Sequence, residues 1–133
     1  MATINARELR YSVEEARQIY DNEPFTGTAR YYDRDGALIG ENSYVNGVQQ
    51  GQARYWYPSG QLKGEEVFVN DGLHGPCKEW HENGRLKREA LFERSRLVRD
   101  KQWDESGNLI EDMQQNNSVG RLEKTDQSGK DKK

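Results

Sequence analysis

The sequence predicts a mainly β protein: an elongated, single-layer array of antiparallel β-hairpin repeats, with a short helix before it and a disordered tail after it. Three observations predict this fold. A pattern of glycine, leucine, glutamate and aromatic residues recurs at a constant interval, and each copy has a turn signal between two runs of alternating residues. Apolar residues make up only 32% of the chain and charged residues another 32%, which excludes a thick core. Aromatic residues, at 10%, are therefore expected to provide most of the buried surface.

The segment before the repeats, residues 1–24, is predicted to be a cap that contains the short helix. Ser12 and Glu15 have the spacing of a helix capping box, and the apolar residues that follow share one helical face. We expect a helix over residues 13–20 that covers the first hairpin, and Pro24 ends this segment.

Residues 25–112 are predicted to hold four hairpin repeats, the last of them degraded. The first three copies read GTARYYDRDGALIGENSYVN, GQARYWYPSGQLKGEEVFVN and GPCKEWHENGRLKREALFER, and the fourth reads RDKQWDESGNLIED from Arg99. Arg99 stands where glycine begins the other copies, and the fourth copy is one residue shorter. The turn glycines of the first three copies are 24 residues apart: Gly36, Gly60 and Gly84.

Each repeat is predicted to be one hairpin with a two-residue loop, joined to the next by a longer connection. This register places an opposite-charge pair at the same position of three hairpins: Arg30 with Glu41, Arg54 with Glu65, and Lys78 with Glu89. It also places a tyrosine over a glycine in two hairpins and an ion pair in the third: Tyr31 with Gly40, Tyr55 with Gly64, and Glu79 with Arg88.

Strand alternation predicts that Tyr55 and Tyr57 lie on one face together with Leu62, and that Trp56 lies on the other face. Aromatic residues are frequent hot spots of protein interfaces, and positions that vary between copies are candidates for partner recognition. The alternative is that these rings stack to hold adjacent hairpins together, or are ordinary strand residues. The candidate partner-binding residues are Tyr31, Asp33, Tyr55, Trp56, Tyr57, Glu79, Trp80 and His81.

Several classes of function are disfavoured by the composition. A net charge of −3 argues against a nucleic-acid partner, and two histidines with one cysteine form no metal-site spacing. We expect no catalytic residue and no cofactor, because His81 has no nucleophile at a recognisable spacing, and Cys77 occupies a small packing position. No export signal and no apolar run of membrane-spanning length is apparent, so we expect a cytoplasmic protein that does not bind membranes. Residues 113–133 are expected to form the disordered tail.

EPFTG at 23–27, the recurring aromatic pair followed by G-x-L, and the aromatic-x-N-G segment resemble the MORN-variant repeat. In particular, residues 23–112 resemble the bacterial YwqK-like antitoxin proteins, which are built from such repeats. The resemblance implies a β-hairpin array and a non-enzymatic immunity or antitoxin role, in which the chain binds and neutralises a toxin encoded by a neighbouring gene. Two alternatives remain: a MORN-type scaffold or membrane-surface adaptor, and a wall- or sugar-binding repeat whose Trp and Tyr residues form aromatic cages for choline.

Overall fold

The computed structural model describes residues 2–115, which fold almost entirely into β-strands. One single 3-10 turn, Ala6–Glu8, interrupts them near the start. The strands are β1 (Ala2–Asn5), β2 (Arg10–Ser12), β3 (Arg17–Tyr20), β4 (Glu23–Pro24), β5 (Gly27–Tyr32), β6 (Leu38–Val45), β7 (Val48–Trp56), β8 (Leu62–Val69), β9 (Gly72–Leu73), β10 (Gly75–Trp80), β11 (Leu86–Glu93), β12 (Arg96–Trp103) and β13 (Leu109–Gln114).

The main sheet has ten strands, and its order follows the chain from β5 onward. Every pair from β5 to β13 is antiparallel, whereas β1 joins the first edge parallel to β5. The strand pairs β5–β6, β7–β8, β10–β11 and β12–β13 are four successive hairpins. The predicted antiparallel hairpin array is therefore confirmed.

The loop inside each hairpin has three residues, so the predicted two-residue loop is wrong. In the second hairpin the N–H of Gly60 donates to the carbonyl of Tyr57 at 2.8 Å, and the N–H of Tyr57 donates to the carbonyl of Gln61 at 2.9 Å. This is a type I turn followed by a glycine in the left-handed region, where Gly60 has φ 96°. The same pair of hydrogen bonds closes the other three loops.

The connection between successive hairpins is the short one, which also reverses the prediction. Asn46 and Gly47 have φ 53° and 81°, as a two-residue type I′ turn requires. The next two connections have the same geometry at Asn70–Asp71 and Arg94–Ser95. The extra residues that made these connections look long belong to the strands, where positive-φ glycines such as Gly51 form bulges.

The predicted register is confirmed up to the last residues before each loop. All three predicted charge pairs lie directly opposite one another, and so do the two tyrosine–glycine pairs and the third ion pair. Beyond Tyr55 the register shifts by one, because Lys63 is an extra residue on β8. Trp56 therefore lies opposite Leu62 rather than opposite Lys63. The predicted separation of Trp56 from Tyr55 and Tyr57 onto two faces is not confirmed, because all three residues line one depression.

The predicted helix over residues 13–20 is wrong. Ser12 does accept a hydrogen bond from the N–H of Glu15, at 3.2 Å, as a capping box would provide. The chain then turns through Ala16, at φ 55°, and returns as β3 paired with β2. This small sheet of β2, β3 and β4 packs near the first hairpin through backbone bonds such as Gln18 N–H to the Gly47 carbonyl.

The largest buried cluster lies at this end of the array, where Phe25 packs between Tyr20 and Tyr44. From there a row of small or short side chains continues across the sheet and keeps it thin. Buried members of the row are Ala29, Asn42, Ala53, Cys77, Ala90 and Asp100.

The fourth hairpin differs from the others at its start. Its missing residue falls between Leu97 and Asp100, where the second hairpin has the glycine bulge around Gly51. The bulge in the fourth hairpin contains one extra residue, Val98, and Arg99 itself pairs with Leu91 as an ordinary strand residue. Arg99 therefore does not need the positive φ that the glycine at this position adopts in the other hairpins. Of the predicted tail, Met113 and Gln114 belong to β13, and residues 116–133 lie outside the described part of the chain.

Candidate functional site

The two faces of the sheet have different chemistry. We call one the charged face; it carries a single row of alternating charges across eight strands. The row consists of Arg30, Glu41, Arg54, Glu65, Lys78, Glu89, Lys101 and Asp112. We call the other the tyrosine face; its corresponding row consists of Tyr31, Gly40, Tyr55, Gly64, Glu79, Arg88, Gln102 and Glu111.

The charged row holds four cations and four anions, and two of its pairs lie within ion-pair distance. Arg54 Nε lies 3.2 Å from Glu65 Oε2, and Lys78 Nζ lies 3.8 Å from Glu89 Oε2. At the first hairpin the Nε of Arg30 is buried and has no hydrogen-bond partner. Sequence reasoning found the three pairs inside the hairpins but missed that the alternation of sign continues between hairpins. The 24-residue spacing of the pairs contained that signal, because adjacent hairpins repeat the same order of charges.

The tyrosine face carries a polar network beside the row of small side chains. The hydroxyl of Tyr55 donates to Glu66 Oε1 at 3.0 Å and lies 3.5 Å from Asn42 Oδ1. Asn42 in turn donates to the hydroxyl of Tyr31 at 3.2 Å. Burial, reinforced by the charge of Glu66, raises the pKa of Tyr55, and burial with the Tyr31 hydrogen bond raises the pKa of Tyr44. These hydroxyls therefore stay protonated as hydrogen-bond donors at neutral pH.

A depression of about 550 Å³ opens on the tyrosine face beside Gly64. Gly64 lies between Tyr55 on β7 and Glu79 on β10, and a Cβ atom placed there would lie 3.7 Å from Tyr55 Cδ2 and 3.8 Å from Glu79 Cγ. Five of the eight predicted binding residues line this depression: Asp33, Tyr55, Trp56, Tyr57 and Glu79.

The depression exists because the third repeat breaks the tyrosine–glycine pattern. At Gly40, two rings pack over the backbone, since a Cβ atom there would lie 3.4 Å from both Tyr31 and Tyr55. At Gly64, Glu79 replaces the second tyrosine. Its side chain forms an ion pair with Arg88, with 3.4 Å between Glu79 Oε2 and Arg88 Nη1. Gly64 therefore has one ring beside it instead of two, with the Glu79 side chain in the second position, and the depression lies next to it.

The remaining predicted residues lie elsewhere. Tyr31 and the neighbouring Tyr32 border a shallower depression of about 240 Å³ near Asn5 and Arg7, at the first edge of the array. Trp80 and His81 do not line the Gly64 depression. His81 instead bonds through Nε2 to the backbone carbonyl of Trp103 at 2.8 Å.

Comparison with known families bears on the hairpins alone. The model of the MORN repeat variant matches residues 25–46, 49–70 and 73–94, each of which contains one hairpin and ends inside a type I′ turn. Three tandem stretches of the chain are therefore similar to the MORN repeat variant, and we call each of them a MORN repeat. The fourth hairpin, β12–β13, lies beyond the matched stretches. Comparison with curated proteins and with solved structures gives no match.

In the second and third MORN repeats, the side chain just before the loop bonds to the backbone of the next hairpin. The hydroxyl of Tyr57 donates to the backbone carbonyl of Trp80 at 2.8 Å, which is the same contact that His81 makes one repeat later. Partial burial and the nearby carboxylates of Glu82 and Glu79 raise the pKa of Tyr57, so it remains a donor. In the first repeat Asp33 cannot donate, and it accepts from the N–H groups of its own loop. The residue at this position therefore affects how neighbouring hairpins are bonded to each other, which the sequence did not reveal.

The third MORN repeat and the fourth hairpin share an ion-pair cluster that sequence reasoning missed. Arg88 Nε lies 2.8 Å from Asp100 Oδ1, and Nη2 lies 3.1 Å from Oδ2, so the pair is bidentate. Asp100 is only 6% exposed and also accepts from Gln102 at 3.0 Å. Burial opposes its ionisation, but the bonds from Arg88 and Gln102 outweigh burial and hold the pKa of Asp100 below the ordinary value.

Two further findings concern the described residues as a whole. Within residues 2–115, no group of three or more histidine, cysteine or acidic side chains is placed to hold a metal ion. In the same stretch, no helix has the length and apolar character needed to cross a bilayer.

Proposed function

We propose that this protein is a non-enzymatic immunity protein, which neutralises a toxin domain by binding it through the tyrosine face. The observation that carries the proposal is the depression at Gly64, which is lined by five of the residues expected from the sequence to bind a partner. Its volume of about 550 Å³ lies within the range of ligand-binding pockets in proteins, and its aromatic walls are typical of interface hot spots. The toxin as partner follows from the resemblance to the YwqK-like antitoxins.

The tyrosine face is a better binding surface than the charged face. Two cations of the charged row, Arg54 and Lys78, are ion-paired within the sheet, so a partner that binds there would have to compete with these internal pairs. Displacing paired charges gains little free energy, because the partner's ion pairs only replace existing ones. The tyrosine face instead offers partly buried rings beside an open depression.

The proposal places the protein in the cytoplasm, together with a toxin encoded by a neighbouring gene. The test is to express the adjacent open reading frame alone and together with this chain, and to score cell survival. The proposal expects the neighbour to be lethal alone and harmless in the presence of this chain. A neighbour that is harmless alone, or one that stays lethal beside this chain, overturns it.

A matched pair of variants locates the binding surface in the same assay. Trp56 lines the depression, whereas Trp103 occupies the equivalent strand position of the fourth hairpin, outside it. Trp56→Ala is expected to abolish protection, and Trp103→Ala is expected to retain it. Equal loss in both variants, with both proteins folded by circular dichroism, would exclude the Gly64 depression as the binding surface.

The tandem MORN repeats themselves favour one other candidate, a scaffold or membrane-surface adaptor. An adaptor would bind anionic lipid through a basic cluster. Co-sedimentation with vesicles containing phosphatidylserine separates the two: the immunity proposal expects the chain to remain in the supernatant, and an adaptor would sediment.

A further inference from the structure

One carboxylate in the Gly64 depression has no cationic partner in the described chain. Glu66 lines the depression, and its two side-chain partners are neutral: the hydroxyl of Tyr55 at 3.0 Å from Oε1 and the thiol of Cys77 at 4.0 Å from Oε2. Burial raises the pKa of Cys77 to about 11, so the thiol is uncharged at neutral pH. The neighbouring glutamates Glu65 and Glu79 are both ion-paired, at 3.2 and 3.4 Å.

Three aromatic rings, those of Tyr55, Trp56 and Tyr57, line the same depression as this carboxylate, and so do Lys63 and Lys78. One of these rings already attracts a cation from the chain itself, since Lys63 Nζ lies 5.5 Å from the centroid of the Tyr57 ring. The faces of aromatic rings are electronegative, and together with a carboxylate they form a setting that favours a positive charge over a neutral group.

We propose that this depression receives the guanidinium group of an arginine side chain presented by the protein partner. This inference rests on the proposed function, because it names the chemistry that the binding face recognises. A guanidinium group is planar and weakly hydrated, so it stacks on the aromatic rings and donates two parallel hydrogen bonds to Glu66. A lysine ammonium can do neither of these as well, because it is compact and strongly hydrated.

The test uses the full-length chain labelled with nitrogen-15 and two small probes. Nα-acetyl-arginine methylamide carries the guanidinium group, and Nα-acetyl-citrulline methylamide is its neutral near-isostere. We expect the arginine probe to shift the NMR signals of the Gly64 amide and the Trp56 indole, with a dissociation constant in the millimolar range, and to leave the Gly107 amide unchanged. The citrulline probe is expected to bind at least about tenfold more weakly. Equal shifts with both probes overturn the inference.

Two glutamate variants assign the charge requirement to one residue. Glu66→Gln keeps an acceptor for the Tyr55 hydroxyl and removes the negative charge, so we expect about a fivefold or greater loss of affinity for the arginine probe. Glu111→Gln makes the same change in net charge on β13, outside the depression, and is expected to alter affinity by less than about twofold. Similar losses in both variants would show that overall charge alone attracts the probe, and would overturn the inference.

The survival assay separates this inference from the proposed function. If the chain protects cells from the toxin but binds the arginine and citrulline probes equally, the guanidinium site is overturned and the immunity role stands. Selective arginine binding without protection supports the site and overturns the immunity role.

Discussion

Removing Asp100 is expected to destabilise the protein more than removing any exposed carboxylate. Asp100 accepts two hydrogen bonds from Arg88, at 2.8 and 3.1 Å, and is 6% exposed. Breaking a buried ion pair by deleting one partner costs about 3–5 kcal/mol, because the other charge is left uncompensated. Arg88 keeps Glu79 at 3.4 Å and its side chain is 26% exposed, which reduces the expected cost of Asp100→Ala to about 2–3 kcal/mol.

The measurement is thermal unfolding followed by circular dichroism. At roughly 4 °C per kcal/mol for a domain of this size, Asp100→Ala should lower the unfolding temperature by about 8–12 °C. Glu89→Ala is the matched control, because its ion pair with Lys78 is long, at 3.8 Å, and both side chains are nearly half exposed. We expect that control to lose at most about 1 kcal/mol.

The double variant tests the reasoning itself. Arg88→Ala leaves Asp100 buried with only Gln102 as a side-chain partner, so it should cost about as much as Asp100→Ala. Removing both residues leaves no uncompensated charge at the buried Asp100 position and leaves only the 35% exposed side chain of Glu79 without its cation, so the double variant should be no less stable than Arg88→Ala. Additive losses, with a coupling free energy below about 0.5 kcal/mol, would show that the pair does not act as a unit and would refute the argument.

The same pair gives a pH dependence with a defined sign. The pKa of Asp100 is lower in the folded state than the ordinary value of 3.8, so its stabilising contribution is complete above that value. The contribution is lost as the pH falls below 3.8 and through the lower, folded-state pKa. The difference in stability between the wild type and Asp100→Ala should therefore be constant near pH 7 and should shrink in acid. A difference that grows in acid would contradict the assigned direction of the shift.

Three smaller predictions concern other contacts. Tyr57→Phe removes the hydroxyl that bonds to the Trp80 carbonyl and should cost about 0.5–1.5 kcal/mol in urea unfolding, whereas Tyr32→Phe, at an exposed ring, should cost almost nothing. Gly60→Ala should cost about 1–2 kcal/mol by thermal unfolding, because φ is 96° although a Cβ atom would meet nothing within 4 Å. Cys77 is 3% exposed and its pKa is raised to about 11, so Ellman's reagent should react with it at pH 8 far more slowly before denaturation than after.

Each of these three predictions would be contradicted by a specific outcome. Equal losses for Tyr57→Phe and Tyr32→Phe would remove the hydroxyl as a link between repeats. A neutral Gly60→Ala would mean that the loop relaxes out of the left-handed region. Rapid labelling of Cys77 in the native protein would show that the row of small residues opens readily.

The register of the array could be predicted because the copies of the repeat can be compared with one another within the sequence. The exchange of Tyr–Gly for Glu79–Arg88 in the third copy fixes which residues lie opposite each other, since both partners change together. The type of loop could not be read in the same way, because a glycine after Asp, Ser or Asn suits both a two-residue turn and the three-residue loop that is present. The resulting shift at Lys63 then altered the environment of Trp56.

The helix was mispredicted for a local reason. The hydrogen bond from the Glu15 N–H to Ser12 is the same in a capped helix and in the turn that the chain adopts. Pairing between β2 and β3 decides the outcome, and that pairing carries no repeat to reveal it. The candidate site was anticipated in part. The aromatic residues of the site were expected. The depression was not, because it depends on the replacement of a tyrosine by Glu79 beside Gly64. Glu66 was not expected either, because only the structure shows that its side-chain partners are uncharged.

The alternating charges of the charged face also bear on how such an array can change its length. Every hairpin contributes one cation and one anion in the same order, as Arg54 and Glu65 do in the second. A duplicated hairpin inserted at any boundary would therefore meet the opposite sign on both sides and would leave the row's balance unchanged. Duplication or loss of a whole 24-residue hairpin unit would therefore lengthen or shorten the array without placing like charges side by side in this row. The other surface residues of an added hairpin would be free to diverge.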